Sequence, residues 1–184
     1  MDIVFKLIFS YLVGSLSGSM ILGKIKKIDI RKMGSGNAGA TNALRTMGIL
    51  FSIGVLFIDI LKGYIAVKYI PKIGFSSNLY NNLDILMYIC AIGVILGHVY
   101  PIFFNFNGGK GVGSMVGVLY VIDSQCLYIC LIIWLITLIL TGYVGLSTII
   151  ASLTLPLFVS IFYVNGIASY FGLFSIIISL FLIF

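Results

Sequence analysis

Charged residues are scarce in this sequence. Only 9% of its residues are Asp, Glu, Lys or Arg, whereas a soluble domain carries about 25%. With 61% hydrophobic residues and a mean hydropathy of +1.21, its 184 residues cannot cover a surface in water. The composition therefore excludes an ordinary soluble protein and predicts one compact domain, residues 1–184, with lipid as its solvent.

Histidine and cysteine are also few. His98 is the single histidine, and Cys90, Cys126 and Cys130 lie in apolar runs without CxxC spacing. We therefore expect no disulfide, no metal site and no cofactor. The first apolar run, residues 3–23, is too long for a signal-peptide core and lacks a small-residue cleavage site, so we expect a retained span.

The long apolar runs predict an all-α polytopic membrane protein. A membrane-spanning helix needs about 20 apolar residues, and the clear candidates are residues 3–23, 48–70, 83–104, 149–164 and 168–184. Residues 112–140 form either one long span or two helices broken at residues 123–125. We favour the break, because one helix would exceed the bilayer and hold Asp123 and Gln125 at mid-membrane. The prediction is seven transmembrane segments, one of them short, at residues 112–122.

The basic residues predict the orientation of these segments. Six of them follow the first run within one short loop: Lys24, Lys26, Lys27, Arg31, Lys32 and Arg45. The positive-inside rule puts this loop in the cytoplasm, with the N-terminus outside and the C-terminus inside. Residues 71–82 would then lie outside, and the polar loops at 105–111 and 141–148 would lie on the cytoplasmic face. Orientation and anionic ligands explain the net charge of +6, and we expect no nucleic acid.

The first glycine-rich segment, residues 31–45, predicts an anion site. Gly34, Gly36 and Gly39 fit GxGxxG, but no strand precedes them, so we reject a dinucleotide fold. Glycines still let backbone N–H groups face an anion, and a following helix favours negative charge at its N-terminus. Side-chain donors are Ser35, Asn37, Thr41 and Asn42, and Arg45 shares a helix face with Thr41 if a helix begins near residue 38. The alternative is a flexible interfacial loop with orienting charges.

The second glycine-rich segment surrounds Lys110 with Gly108, Gly109 and Gly111. The Walker spacing fails, since no glycine lies six residues before Lys110 and no Ser or Thr follows it, so nucleoside triphosphate hydrolysis is not expected. An ammonium among bare backbone amides still suits one phosphate. A lysine that snorkels to the membrane interface is the alternative.

Three polar residues fall within apolar runs. His98 is either a packed histidine or a functional one, and its position in a span favours function, because polar groups there are costly. Asp59 and Lys62, three residues apart, share a helix face. We favour mutual pairing of these two over a direct catalytic role.

Taken together, these motifs resemble the PlsY family, the bacterial acyl-phosphate:glycerol-3-phosphate acyltransferases. The matching residues are Gly14, Ser15, residues 34–42, Arg45, Asp59, Lys62, Gly63, Gly97, His98, Pro101, Phe104 and residues 108–112. The resemblance implies a seven-helix enzyme of the bacterial cytoplasmic (inner) membrane that transfers an acyl group from acyl phosphate to glycerol 3-phosphate, giving lysophosphatidic acid. It also implies a soluble enzyme that supplies acyl phosphate. We assign Ser35, Asn37 and His98 to catalysis. The residues assigned to phosphate binding are Gly34, Gly36, Gly39, Thr41, Asn42, Arg45, Gly108, Gly109, Lys110 and Gly111.

The sequence departs from the family at two places. A serine is expected where Gly145 stands, and Ser147 or Thr148 is a candidate replacement for its hydroxyl. The family also continues past its last helix with a basic segment carrying a functional Asn, whereas this sequence ends at Phe184, so we expect a fragment or a site lacking that part.

Rival functions are a small-anion or phosphate transporter, and a non-catalytic subunit of a lipid-synthesis complex.

Overall fold

Every regular element of the protein is helical in the residues that the structure, a computed structural model, describes: 2–74 and 83–183. The α-helices, in chain order, are α1 Asp2–Gly14, α2 Gly18–Ile25, α3 Ala40–Met47, α4 Ile49–Lys68, α5 Leu83–Val99, α6 Val112–Ile122, α7 Ser124–Thr141, α8 Val144–Phe162 and α9 Tyr170–Ile183. Short 3₁₀ turns lie at Ile30–Lys32, Ile70–Lys72, Ile102–Phe104 and Gly166–Ala168. The chain forms two compact units, Met1–Ile122 and Asp123–Phe184, while the single domain expected from its length stays a prediction.

Four helical segments are long and apolar enough to cross a membrane: Ile49–Lys72, Leu83–Phe104, Ser124–Thr141 and Val144–Phe162. The pair Ile3–Gly14 and Gly18–Ile25 adds a fifth if it counts as one span, and two shorter apolar helices are Val112–Ile122 and Tyr170–Ile183. These counts cover the described residues alone, and they support a multi-pass membrane protein. The predicted seven spans and their orientation stay predictions, and the predicted external loop lies largely outside the described residues.

The predicted break near Asp123 is confirmed. Helix α6 ends at Ile122 and α7 begins at Ser124. The Asp123 carboxylate accepts a hydrogen bond from the Cys126 backbone N–H at 2.9 Å, so this residue caps the N-terminus of α7. Its other oxygen accepts from the Tyr163 hydroxyl, which follows the last residue of α8. A cap is the reason a carboxylate stands between two apolar helices.

The predicted first span, residues 3–23, is divided into two helices. Helix α1 ends at Gly14, α2 begins at Gly18, and the two are bent by 43°. The intervening backbone groups find partners on α4: Lys62 donates to the carbonyls of Gly14 and Leu16, and the Gly18 N–H donates to Asp59. A broken helix is tolerated at membrane depth only when such partners replace the lost helical bonds.

Glycines let the helices of the first unit approach at backbone distance. A Cβ at Gly14 would lie 2.2 Å from the Val94 carbonyl oxygen, and one at Gly97 would lie 2.1 Å from that of Tyr11, so α1 packs directly on α5. Helices α4 and α6 meet in the same way, since a Cβ at Gly63 would lie 2.1 Å from the Ser114 carbonyl oxygen. Small residues at helix contacts are typical of membrane proteins, whose helices associate by close packing rather than by the hydrophobic effect.

The second unit is an antiparallel series of helices α7, α8 and α9. Phe158, Phe171 and Phe174 form its buried aromatic centre. Many of the exposed side chains on its helices are large and apolar, including Ile139, Leu140 and Ile161. Such a surface suits contact with lipid tails.

Candidate functional site

The first glycine-rich segment folds into a compact loop that leads into α3. Gly34 and Gly36 have φ angles of +57° and +76°, which residues with side chains rarely adopt. The Asn37 side-chain oxygen accepts from the Gly39 N–H at 2.8 Å, and Gly39 is the N-cap of α3. Because α3 begins at Ala40, its first amides face the end of the glycine loop. Helix N-termini of this kind favour anions.

Asn42 holds this loop together from inside. Its amide nitrogen donates to the backbone carbonyls of Ile30, Met33 and Asn37 at 2.9–3.2 Å, and its oxygen accepts from the Ser35 N–H at 2.9 Å. Only 2% of Asn42 is exposed. The side chain therefore has its hydrogen-bonding groups occupied by the loop, and it shapes the site rather than facing a ligand.

Exposed polar side chains surround the loop that Asn42 fixes. Ser35, Thr41 and Arg45 are exposed, and Asn37 is half-buried. Thr41 and Arg45 lie one turn apart on α3, as the sequence predicts. A hydroxyl, a backbone turn and a guanidinium are thus available to an anion on this side.

The second glycine-rich segment joins α5 to α6. The Gly108 N–H donates to the Val99 carbonyl and the Gly109 N–H to the His98 carbonyl, each at 3.1 Å. Gly111 has a φ of +87°, and its carbonyl accepts from the Met115 N–H in the first turn of α6. The segment is therefore folded back on the end of α5, and Lys110 at its tip is exposed.

Arg31 joins the two glycine-rich segments. Its guanidinium forms two hydrogen bonds with the Asp29 carboxylate, at 3.0 and 2.9 Å, and donates to the carbonyls of Phe104 and Asn107 at 2.8 and 3.3 Å. The Phe104 ring beneath also lies 5.1 Å from the Lys24 ammonium, which is a cation–π contact. We call Asp29, Arg31 and the two carbonyls the arginine clamp.

The sequence does not predict the arginine clamp, because its basic residues indicate for Arg31 only a role in membrane orientation. The hydrogen bond from Arg31 is the largest cause that holds the pKa of Asp29 below its ordinary value, and the same bond raises the pKa of Arg31. Because the pKa of Asp29 is lower in the folded loop, ionised Asp29 stabilises the fold at any pH above its ordinary pKa. This stabilisation is lost as the pH falls through the lower pKa of the folded state. The clamp therefore stays intact at neutral pH.

His98, Asp59 and Lys62 come together in the first unit, and Ser114 joins them. Lys62 Nζ lies 3.0 Å from Asp59 Oδ1, so the predicted pairing within α4 is present. His98 Nδ1 lies 3.1 Å from Ser114 Oγ and 3.5 Å from Asp59 Oδ1. All four side chains are at most 4% exposed. The sequence indicates that polar residues within spans are special, but nothing in it joins His98 to Asp59 or selects Ser114.

The third polar segment lies in the second unit, at the start of α8. The Ser147 hydroxyl donates to the Tyr143 carbonyl and the Thr148 hydroxyl to the Val144 carbonyl, at 2.9 and 3.0 Å. Both hydroxyl protons are thus used within the helix. Gly145 is exposed, and beyond the adjacent residues and backbone of its own helix no described atom would lie within 4 Å of a Cβ placed on it. The role assigned to Ser147 or Thr148 stays a prediction.

No group of three or more His, Cys, Asp or Glu side chains that could hold a metal occurs among residues 2–74 and 83–183. The exposed side chains of the two glycine-rich segments include hydroxyls and cations. These groups bind phosphate and stabilise negative charge on an oxygen atom.

Comparison with known proteins identifies relatives along almost the whole chain. A family model described as glycerol-3-phosphate acyltransferase matches residues 4–184. The glycerol-3-phosphate acyltransferase of Aquifex aeolicus is 35% identical over 159 residues, which are 86% of this chain and 79% of that protein. The enzyme of the same name from Staphylococcus carnosus is 42% identical over 159 residues, with 83% and 77% covered.

Solved structures are similar as well. The crystal structure of PlsY (YgiH), an integral membrane glycerol 3-phosphate acyltransferase, in its glycerol 3-phosphate form superposes with a TM-score of 0.84 at 30% identity. The lysophosphatidic acid form gives 0.82 at 30% identity. Each comparison covers 100% of this chain and 87% of the other.

Proposed function

The chain belongs to the glycerol-3-phosphate acyltransferase family, and on that premise we propose how its residues carry out the reaction. The enzyme transfers a fatty acyl group to glycerol 3-phosphate and so makes lysophosphatidic acid for phospholipid synthesis. We assign acyl phosphate as the donor. The glycerol hydroxyl oxygen bonds to the acyl carbonyl carbon, and the carbon–oxygen bond to phosphate breaks. Inorganic phosphate leaves with that electron pair, and the hydroxyl proton passes to phosphate or to water.

The observation that carries this proposal is the arginine clamp. Arg31 holds the two glycine-rich segments together through one guanidinium, at 2.8 Å to the Phe104 carbonyl and through two bonds to Asp29. Two phosphorylated substrates require two sets of donors in one unit. The first segment offers Ser35, Thr41, Arg45 and the first amides of α3, and the second offers Lys110.

Acyl phosphate is already activated, so the enzyme needs mainly orientation and charge stabilisation. Holding the glycerol hydroxyl against the carbonyl carbon removes much of the entropic barrier. We assign the Ser35 hydroxyl and the Asn37 side-chain amide to stabilise the oxyanion of the tetrahedral intermediate. Gly34 and Gly36, with φ angles of +57° and +76°, permit the turns of this segment.

The phosphate role of Lys110 has a direct test. Lys110→Met removes the ammonium and keeps most of the aliphatic stem, so we expect transfer of radiolabelled glycerol 3-phosphate by the purified protein to fall by at least about 100-fold. Lys72→Met is the matched control, since Lys72 is also exposed but lies in the turn after α4. Full activity of Lys110→Met would contradict the role.

The same assay decides the donor and the rival function. Acyl phosphate should support synthesis of lysophosphatidic acid, whereas acyl-CoA and acyl-acyl carrier protein should not. Uptake of phosphate into liposomes without any lysophosphatidic acid would instead indicate a transporter. We also propose that a soluble enzyme producing acyl phosphate supplies the substrate.

We propose that the site faces the cytoplasm of a bacterial inner membrane. The support is the charge of the first segment, where Lys24, Lys26, Lys27, Lys32 and Arg45 are all exposed. Glycerol 3-phosphate and acyl phosphate are then reached from the side on which they are made. The acyl chain would extend among the apolar helices.

A further inference from the structure

The buried polar side chains of the first unit form one connected group across three helices. Asp59 and Lys62 lie on α4, His98 near the end of α5, and Ser114 in the first turns of α6. Successive neighbours lie within 3.5 Å, from Lys62 through Asp59 and His98 to Ser114. We call these four residues the polar network. The reaction proposed above has no step for this group, although His98 is among the residues predicted to act in catalysis.

One end of the polar network is attached to the break between α1 and α2. The Lys62 ammonium has three N–H groups, and it has three acceptors: the carbonyls of Gly14 and Leu16, at 2.8 and 3.1 Å, and Asp59. The Gly18 N–H, at the start of α2, donates to Asp59 at 3.2 Å. The cation thus lies at the C-terminus of one helix and the carboxylate at the N-terminus of the next, as the helix dipoles favour. No N–H group of Lys62 is left for a substrate.

The other end of the polar network supports the second glycine-rich segment. A Cβ placed on Gly109 would lie 2.2 Å from His98 Nε2, so the imidazole is packed directly against the backbone of this residue. The Gly109 N–H also donates to the His98 carbonyl. A substrate atom has no room between the ring and Gly109, and the ring's other nitrogen faces Ser114 and Asp59. Both ring nitrogens therefore face groups of the protein.

The contact between α4 and α6 fixes Ser114 within this arrangement. A Cβ on Gly113 would lie 3.1 Å from Asp59 Cβ, and one on Gly63 would lie 2.1 Å from the Ser114 carbonyl oxygen. The α6 backbone therefore lies directly on α4, and the Ser114 hydroxyl reaches His98 because of this close approach. The ring orientation is consequently set by the helix packing.

We propose that the polar network is a positioning device: it orients the His98 ring as the floor of residues 108–111 and couples this phosphate-binding segment to the broken first span. His98 and Ser114 are then positioning residues that act through Gly109 and Lys110, not proton carriers. This inference rests on the proposed function for its link to glycerol 3-phosphate. The packing beneath the segment is independent of the substrate.

Ser114→Ala and His98→Ala test the proposal by steady-state kinetics. Loss of positioning should raise the KM for glycerol 3-phosphate roughly tenfold or more, with kcat changed less and the pH profile of kcat retained. A proton carrier would behave differently, since its removal lowers kcat by about 10²–10⁴-fold and removes an ionisation from that profile. Ser175→Ala is the matched control, because Ser175 is also fully buried but donates only to Gly172 in its own helix.

Hydrogen–deuterium exchange tests the positioning without any assay of turnover. Ser114→Ala should speed exchange of the amides at residues 108–111 at least about tenfold, with a melting temperature in detergent close to that of Ser175→Ala. Faster exchange with a raised KM supports the proposal. Unchanged exchange, or a fall in kcat with an unchanged KM and a lost ionisation, overturns it. If the wild-type protein makes no lysophosphatidic acid, the proposed function fails, and the exchange result still decides the positioning role.

Discussion

Asn42 and Lys110 show two different uses of a polar side chain in the two glycine-rich segments. Asn42 is buried and bonds to four backbone groups of its own loop, whereas Lys110 is exposed at the tip of its segment. Sequence reasoning placed both among the ligands. Burial separates them, because a donor that already has good partners gains little from a substrate.

His98 illustrates the same distinction for a titratable group. Its position in an apolar run predicts a functional rather than an ordinary packed histidine, and its contacts suggest the role proposed above. The ring lies between Ser114 and Gly109, where it sets a backbone position. A polar residue in a membrane span can therefore serve a functional site without touching the substrate.

Gly145 offers a test of the missing hydroxyl in the third polar segment. It stands in the first turn of α8, and beyond the adjacent residues and backbone of its own helix a Cβ there would meet no described atom within 4 Å. Gly145→Ser should therefore fold normally and gain a few tenths of a kcal/mol in helix stability, since serine is a better helix former than glycine. If the family serine contributes to the reaction, kcat/KM should rise.

The control for this substitution is Gly145→Ala, which adds the Cβ without the hydroxyl. If kcat/KM of both variants equals that of the wild type, the position has no part in the reaction. A gain confined to serine would assign it a hydroxyl donor.

At the scale of elements, the break between α1 and α2 is the feature that organises the first unit. The break leaves the carbonyls of Gly14 and Leu16 and the N–H of Gly18 without helical partners. The carbonyls accept from Lys62 of α4, and the N–H donates to Asp59 of the same helix. The charged pair is thus more than two residues that neutralise each other in lipid. It replaces the helical hydrogen bonds that the break removes, which explains why both charges are fully buried.

The arginine clamp is the corresponding feature of the two glycine-rich segments, and Arg31→Lys tests it. Lysine keeps the charge but cannot hold a carboxylate with two parallel bonds and donate to the second segment as well. We expect the KM for glycerol 3-phosphate to rise roughly tenfold, because small misplacements of a binding group are costly.

Lys32→Arg is a suitable control for the clamp, since it alters an adjacent exposed cation of the same turn. The measurement is steady-state kinetics on purified protein at neutral pH, where Asp29 is ionised. Unchanged kinetics in Arg31→Lys would mean that the charge alone is needed and that the clamp geometry is not.

At the scale of the whole molecule, the proposed orientation can be tested by labelling single cysteines. We expect Lys32→Cys to react from the cytoplasmic side and Gln125→Cys from the outside, because a seven-segment chain with its N-terminus outside places them on opposite faces. Both wild-type residues are exposed, and the native cysteines are buried. An impermeant maleimide added to right-side-out and inverted vesicles makes the measurement.

Labelling of both positions from one side would overturn the seven-segment arrangement. It would leave the break at Asp123 intact but make α6 a re-entrant helix, entering and leaving on the same face. The control is Lys26→Cys, which lies in the same basic segment as Lys32 and should follow it in every vesicle preparation.

The sequence by itself determined the solvent, the helical class and the two glycine-rich segments, because these depend on composition, on the length of apolar runs and on local spacing. It also located the break at Asp123, because one unbroken helix would exceed the bilayer and hold the carboxylate at mid-membrane. These are local properties, and they hold whatever the remainder of the chain does.

Only the tertiary structure decided which polar groups face outward and which support the fold. The broken first span, the arginine clamp and the polar network all join residues far apart in sequence, such as Arg31 with Phe104 and Gly14 with Lys62. Their partners are set by glycine contacts that bring helix backbones together, and pairing across such contacts depends on three-dimensional packing rather than on any local pattern.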